Sequence, residues 1–491
     1  MTPARPASLA PVHRPGYDRS ALRVGIVHFG VGGFHRAHQA VILDQLIAAG
    51  HAADWAICGV GVLPGDARMR DALQAQDCRY TLVLKHPDGT QTAREVGSIV
   101  DYRFAPDDPD GVIELLADPG VRVVSLTVTE GGYYINPTTG EFDASDPAVA
   151  ADLVPGAVPR TAFGLIVAGL VRRRDRGILP FTVLSCDNIP GNGDVARRMM
   201  SAFATGIDPD LGEWLQNAVA FPNSMVDRIT PATTDADRAH VTATFGVDDA
   251  WPVVAEPFLQ WVVEDDFPSG RPPLELAGVQ MVRDVEPYEL MKLRLLNSSH
   301  QGMCYFGHLL GYRYAHEAAQ DPLIVDLLTR YMDAEATPTL HPVPGVDLAA
   351  YKATLIERFA NPHVRDTIAR LCADSSDRIP TWLVPVIRDQ LAAGRPVRRS
   401  AAIVASWARY AEGVDESGVP IEVVDRRKDS VMAAAAGQRR DPLAFLEQRD
   451  LFGGLADDPR FVADYRWALD SLISRGAQAT LEDLRADLPG S

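Results

Sequence analysis

The sequence predicts an α/β domain with a mostly parallel sheet over residues 1–285, followed by a mainly α-helical domain over residues 286–491. Three observations predict it. Short β-branched runs alternate with helical patterns through the first half, as in a parallel sheet covered on both faces. A glycine-rich turn follows the first of those runs. Beyond about Glu286 helical periodicity takes over. A chain of 491 residues is also too long for one ordinary core.

The first strand reads as Arg23 to Phe29, and a helical pattern follows from Phe34 to Ala49, with Gly50 as its terminator. A second strand spans Asp54 to Val62. Pro64-Gly-Asp66 breaks it, and a helix covers Ala67 to Gln76. Val121 to Val128 and Phe181 to Ser185 read as buried strands, with a helix from Ala162 to Arg174 between them. In the second half, helices are expected from Glu286 through Leu309, and over Pro322 to Ala334, Leu348 to Phe359, Thr381 to Ala393, Ala401 to Glu412 and Pro459 to Arg475.

Composition narrows the function. A formal net charge of −18 disfavours nucleic acid and anionic membrane as partners. The five cysteines are scattered, without a CxxC pair or a Cys/His cluster, which argues against a disulfide framework and a structural zinc site. A reducing, cytoplasmic setting is expected. Met1 to Leu22 lacks the apolar run of a signal peptide, and no stretch approaches the ~18 apolar residues of a membrane helix.

Gly30-Val31-Gly32-Gly33-Phe34-His35-Arg36 stands where strand gives way to helix. Glycines there permit a tight turn and close approach of backbone N–H groups to a pyrophosphate, and a helix N-terminus favours the negative charge. His35 stands where the third glycine of such a loop is usual. Asp66, beyond the second strand, is the candidate for binding an adenosine ribose hydroxyl, which selects NAD over NADP. It reads equally well as a turn residue capping the next helix. His28, His35 and His38 belong to the strand and loop, and no metal is expected.

The segment from Glu286 to His300 carries the most chemistry. On an α-helical wheel with Lys292 at zero, Leu296 falls at ~40°, Glu289 at ~60°, His300 at ~80°, Leu293 at ~100° and Asn297 at ~140°. Four polar residues thus interleave with two leucines. A buried lysine is costly, and function is the usual reason to keep one. Oxidation of a secondary alcohol needs a base for the hydroxyl proton while hydride leaves. Burial lowers a lysine from its ordinary pKa of about 10.4 towards that role. Asn297 could donate to the developing oxyanion, and His300 could orient substrate hydroxyls. Asn188 follows a buried strand, at the carboxyl edge where doubly wound sheets bind ligands. Its turn-rich neighbourhood also fits a plain turn asparagine.

These residues resemble the polyol-specific long-chain dehydrogenase/reductase family over nearly the whole chain. The resemblance rests on Gly30-Val-Gly-Gly-Phe-His-Arg-Ala-His38, Thr129-Glu-Gly-Gly-Tyr133, Ser185-Cys-Asp-Asn-Ile-Pro190, Met225-Val-Asp-Arg-Ile-Thr-Pro231, Glu256-Pro-Phe-Leu-Gln-Trp261 and Lys292-Leu-Arg-Leu-Leu-Asn-Ser-Ser-His300. It implies a Rossmann-type N-terminal domain, a mainly helical C-terminal domain and an active site between them. It implies Lys292 as general base, Asn188 and Asn297 holding the reacting oxygen, and His300 positioning substrate, without zinc. It further implies that Glu289 links Lys292 to solvent and that Asp227 lies on the substrate side. Arg370 and Arg378 fall in a segment that matches a family loop reaching the active site, and Arg378 stands where lysine is expected. Charge is kept there but the fork geometry changes.

The leading expectation is a monomer carrying out reversible NAD-linked oxidation of D-mannitol to D-fructose, with D-arabinitol as a second substrate. A hexuronate reductase acting on fructuronate or tagaturonate is the alternative, with Arg370 or Arg378 supplying the cation. A catalytically silent NAD-binding sensor is the third reading. It would lack a competent base, and the Lys292, Asn297 and His300 set argues against it.

Overall fold

The strand Val24–Phe29 lies at the centre of a five-stranded sheet in a computed structural model that describes residues 9–136 and 139–487. The spatial order is Ile99–Phe104, Ala56–Gly61, Val24–Phe29, Val123–Leu126, Thr182–Ser185. All four pairings are parallel. The chain steps outward on one side for three strands, then returns to the centre and steps outward on the other. The reversal falls at Val24–Phe29 and Val123–Leu126, and it is outside the carboxyl ends of strands at such a point that doubly wound sheets hold ligands. One face of the sheet is filled by Ile26, Val41, Leu43 and Leu46. Val27, Phe29, Leu165 and Phe203 fill the other. This is the Rossmann-type arrangement. The chain divides into two compact units, residues 1–286 and 287–491.

The N-terminal unit carries more than the periodicity shows. Tyr80–Lys85 and Gln91–Val96 form an antiparallel pair inserted between the second and third strands of the main sheet. Val12–His13 and Val253–Ala255 complete that smaller sheet. Ser224–Asp227, Gln260–Glu264 and Gln280–Val282 make a third sheet. The helix expected from Phe34 to Ala49 is two helices, Gly33–Ala37 and Gln39–Ala48, because His38 leaves helical geometry at φ −125°, ψ −77°. Gly50 ends the second of them at φ +82°. The reading of Met1 to Leu22 falls partly on residues 1–8, outside the described residues. No helix among the described residues is long and apolar enough to cross a membrane.

The second unit is helical. Ser298–Leu309 runs through its middle, packed by Pro322–Tyr331, Ile368–Cys372 and Arg398–Tyr410. Arg398–Tyr410 lies along Pro459–Ala486, which Gly476 interrupts at φ +87°. Where unbroken α-helix is expected, three segments are instead π-helical: Lys292–Asn297, Met332–Ala336 and Ile379–Leu383. The first packs against the other two.

Candidate active site

The glycine loop leaves the carboxyl end of Val24–Phe29. Gly30 sits at φ +91°, and a Cβ there would run into the carbonyl of Thr127 on the neighbouring strand, so only glycine fits. The Thr127 hydroxyl donates to the Gly30 carbonyl at 2.6 Å, tying the two strand ends together. Around Gly32 and Gly33 the space is open: a Cβ at either would meet no atom closer than 3.7 Å. That bare backbone fits the close approach of a pyrophosphate, with Val31 buried against the second strand.

His35, at the place of the third glycine, packs inward. Its ring is buried and stacks on His28 at 3.4 Å between centroids. His28 is hydrogen-bonded to Ser125 Oγ at 2.8 Å and Thr127 Oγ1 at 3.0 Å. Burial holds His28 down to about 3, so the stack is neutral. Phe34 packs edge-on to His38. Arg36 is engaged within the protein. Its side chain is fully buried, lies 5.1 Å from the Tyr80 ring, and donates to the carbonyls of Trp251 and, at 3.3 Å, Gly32. It braces the loop from beneath. Among the described residues, no group of three or more His, Cys, Asp or Glu side chains is placed to hold a metal ion.

Asp66 neither caps the following helix nor stands free in the turn. Its Oδ2 accepts from the backbone N–H groups of Val62 (2.8 Å) and Leu63 (2.9 Å), folding it back onto the end of the second strand. Both bonds fall on Oδ2, so Oδ1 remains as an acceptor.

Asn188 is exposed on the turn after Thr182–Ser185, at the same carboxyl edge. Its neighbour Asp187 ties two turns together. It is buried and accepts from Tyr133 Oη (2.7 Å), Thr129 N (2.8 Å) and Val128 N (3.2 Å), which joins the turns after the fourth and fifth strands. Thr129 sits there at φ +61°, a conformation that a β-branched residue keeps only when its surroundings hold it. Burial pushes the Asp187 carboxyl up even though these donors favour its ionised form. Asp227 is buried at the end of Ser224–Asp227, in register with Gln260.

In the C-terminal unit, Lys292 and Asn297 open and close one π-helical segment. Ser298 N, which in an α-helix would donate to the Arg294 carbonyl, donates to Leu293 five residues back. A turn closed by an i→i+5 bond holds more residues than an α turn, so Asn297 lies nearer to Lys292 around the helix axis than the ~140° of the α-helical wheel. Lys292 is 8% exposed and Asn297 4%. The Nδ2 of Asn297 is buried without a hydrogen-bond partner in the protein. His300 and Glu289 are half-buried. The His300 ring packs on Phe359 at 4.5 Å. Arg294 and Gln301, on the far side of the wheel, are also buried. Arg294 donates to Thr339 O (2.8 Å) and Asp389 (2.7 Å), and Gln301 accepts from Tyr305 Oη (2.5 Å).

Arg370 and Arg378 are both engaged. Arg370 pairs through Nε and a second guanidinium nitrogen with Asp366, one turn back. Arg378 donates to the carbonyls of Leu371 (2.9 Å) and Arg370 (3.3 Å), with its guanidinium 5.7 Å from the Trp382 ring. Its planar fork caps the end of Ile368–Cys372, a use to which a lysine is less suited.

Residues 24–276 match the family model of the mannitol dehydrogenase Rossmann domain, and residues 284–473 match that of the mannitol dehydrogenase C-terminal domain. A mannitol 2-dehydrogenase of Phaeosphaeria nodorum is 47% identical over 471 residues, covering 95% of this chain and 82% of the relative. One from Neosartorya fischeri is 45% identical, covering 95% and 94%. Among solved structures, the Pseudomonas fluorescens mannitol 2-dehydrogenase ternary complex with NAD and D-mannitol superposes with a TM-score of 0.89 at 45% identity, covering 98% of each chain. A D-sorbitol dehydrogenase in substrate-free form gives 0.88 at 38% identity, covering 96% and 98%. By both domain models and by relatives that span nearly its whole length, the chain belongs to the mannitol dehydrogenase family.

Proposed function

We propose that this protein, an NAD-dependent polyol dehydrogenase, carries out the reversible, metal-independent oxidation of D-mannitol to D-fructose with Lys292 as general base. The observation that carries the reading is the π turn. It brings two buried polar residues, Lys292 and Asn297, closer around one helix than α geometry would, and Asn297 Nδ2 has no partner within the protein. A buried donor with nothing to donate to is costly unless a ligand completes it.

In this mechanism Lys292 Nζ takes the hydroxyl proton as hydride leaves the same carbon. NAD, when bound, supplies the hydride acceptor. The bare backbone of Gly30, Gly32 and Gly33 would hold its pyrophosphate, and Asp66 Oδ1 an adenosine ribose hydroxyl. Asn297, with Asn188, donates to the oxygen as it passes from hydroxyl to carbonyl. His300, steadied by Phe359, orients neighbouring hydroxyls, and Asp227 supplies a further polar contact to substrate. Glu289, half-buried just before the π turn, passes the proton from Lys292 towards solvent. In the reverse direction Lys292 returns the proton as general acid. We assign the activity to a monomer in the cytoplasm, in keeping with five free, buried thiols.

A hexuronate would bring a carboxylate that needs a cation. Arg370 is already paired with Asp366, and Arg378 is turned onto main-chain carbonyls. Both facts favour a neutral polyol. The test is a panel of D-mannitol, D-sorbitol, D-arabinitol, D-fructose and D-fructuronate with NAD(H) and NADP(H). D-mannitol with NAD should give the highest kcat/KM for oxidation. Turnover of the uronate alone would overturn the assignment.

A further inference from the structure

A π turn has a structural cost that the protein must meet. When Ser298 N bonds to Leu293 instead of Arg294, the Arg294 carbonyl loses its α-helical donor inside a buried segment. The Tyr331 hydroxyl donates to that carbonyl at 3.0 Å. Tyr331 is fully buried and ends the helix Pro322–Tyr331, immediately before the second π segment, Met332–Ala336. Burial pushes its phenol well above the ordinary range, so it remains a donor at every working pH. The same Arg294 is pinned at its other end, where the guanidinium reaches Thr339 O and Asp389. Ser298 Oγ donates to Leu293 O at 3.1 Å, the same carbonyl that its own N–H reaches, reinforcing the i→i+5 register. A hydroxyl donated to Arg294 and another to Leu293 together select the π register over the α register.

We propose that Tyr331 is a positioning residue for catalysis. By holding the Arg294 carbonyl it keeps Lys292–Asn297 in π register, and so keeps the asparagine amide closer to the lysine's side of the helix than α geometry would. The proposal rests on the reading of Lys292 as general base. It assigns Tyr331 no contact with substrate. The hydroxyl acts through the backbone, and its loss releases the turn towards α geometry, which swings Asn297 away from Lys292.

The test is Tyr331→Phe, which keeps the ring and removes the one donor. It is measured beside wild type and Lys292→Ala, with D-mannitol and NAD over a range of pH. NADH titration of each variant establishes that the protein is folded. For Tyr331→Phe the expected results are a fall in kcat of at least about tenfold, an unchanged NADH affinity, and an acid limb of kcat/KM moved up by about half a unit or more. The limb moves because a released lysine returns towards its ordinary behaviour. A purely structural loss would lower the rate equally at every pH and leave the limb in place. If Lys292→Ala is inactive while Tyr331→Phe keeps either the wild-type rate or the wild-type acid limb, the positioning role is wrong and the base assignment stands. If Lys292→Ala is active, the base assignment fails and takes this proposal with it.

Discussion

After Val24–Phe29 the chain strips side chains away, which leaves open space around Gly32 and Gly33. After Glu286–Met291 it does the reverse, distorting the backbone so that two side chains come closer around the helix. The first solution is written in residue type. Gly30 is there because φ is +91° and the Thr127 carbonyl leaves no room for a Cβ, and Gly32 and Gly33 leave bare main chain around them. The second is written in packing. Nothing in Lys292-Leu-Arg-Leu-Leu-Asn297 marks a π turn, because each of its residues is compatible with an α-helix. The turn persists because partners remote in sequence, such as Tyr331, Thr339 and Asp389, take up Arg294. Glycine geometry can be read locally, whereas helix register is a property of the assembled unit.

The comparison can be broken at either end. The largest effect is expected at the side-chain end. Asn297→Ala removes a donor to the reacting oxygen and should lower kcat by about 10²–10³-fold with little change in NADH affinity. Equal losses in kcat and in NADH binding would show that the residue serves the fold rather than the chemistry. At the backbone end, Gly30→Ala should lose about 1–3 kcal/mol of stability from the left-handed backbone alone, with the clash against Thr127 added to it. It should also abolish NADH binding. Thermal melts with parallel NADH titration check both, and an unchanged melting temperature would remove the geometric reason for glycine there.

Asp66→Ala should weaken NAD about tenfold, the worth of one hydrogen bond to a charged acceptor, and weaken NADP much less. Equal weakening of the two cofactors would leave Asp66 with only its bonds to Val62 and Leu63. The smallest effect concerns acid. His28 is held down to about 3 in the fold against an ordinary 6.5. Below pH 6.5 the unfolded chain therefore binds a proton that the native chain refuses. Stability from this group is fully present above that pH and is lost as pH falls towards 3. Chemical denaturation at stepped pH should show the N-terminal unit weakening on this side, and His28→Gln should flatten the slope. A slope unchanged in the variant would mean that other groups set the acid response.

Much of this was legible in the sequence, and its misses share a cause. The parallel sheet, the glycine loop and the run from Lys292 to His300 all follow from period and residue type. The antiparallel pair Tyr80–Lys85 and Gln91–Val96 was not read, since short strands in an insertion lack a long pattern. Asp187 looked like one more turn residue, because its bonds to Tyr133 and Thr129 cross 54 and 58 positions of chain. Arg36 and Arg370 looked available because charge alone says nothing of Trp251 or Asp366. The α-helical wheel put Asn297 ~140° from Lys292, and the π turn reduces that separation, because an i→i+5 bond takes more residues into the turn. For Asp187 and Arg36, partners distant in the chain take up the side chain, and for Arg370 a partner one turn back does so.

The most direct measurement is turnover of D-mannitol with NAD by Lys292→Ala at neutral pH, alongside NADH titration of the same preparation. The account predicts unchanged cofactor binding and a rate lowered by at least about 10³-fold, within the range for loss of a general base. Near-wild-type turnover by that variant would contradict it.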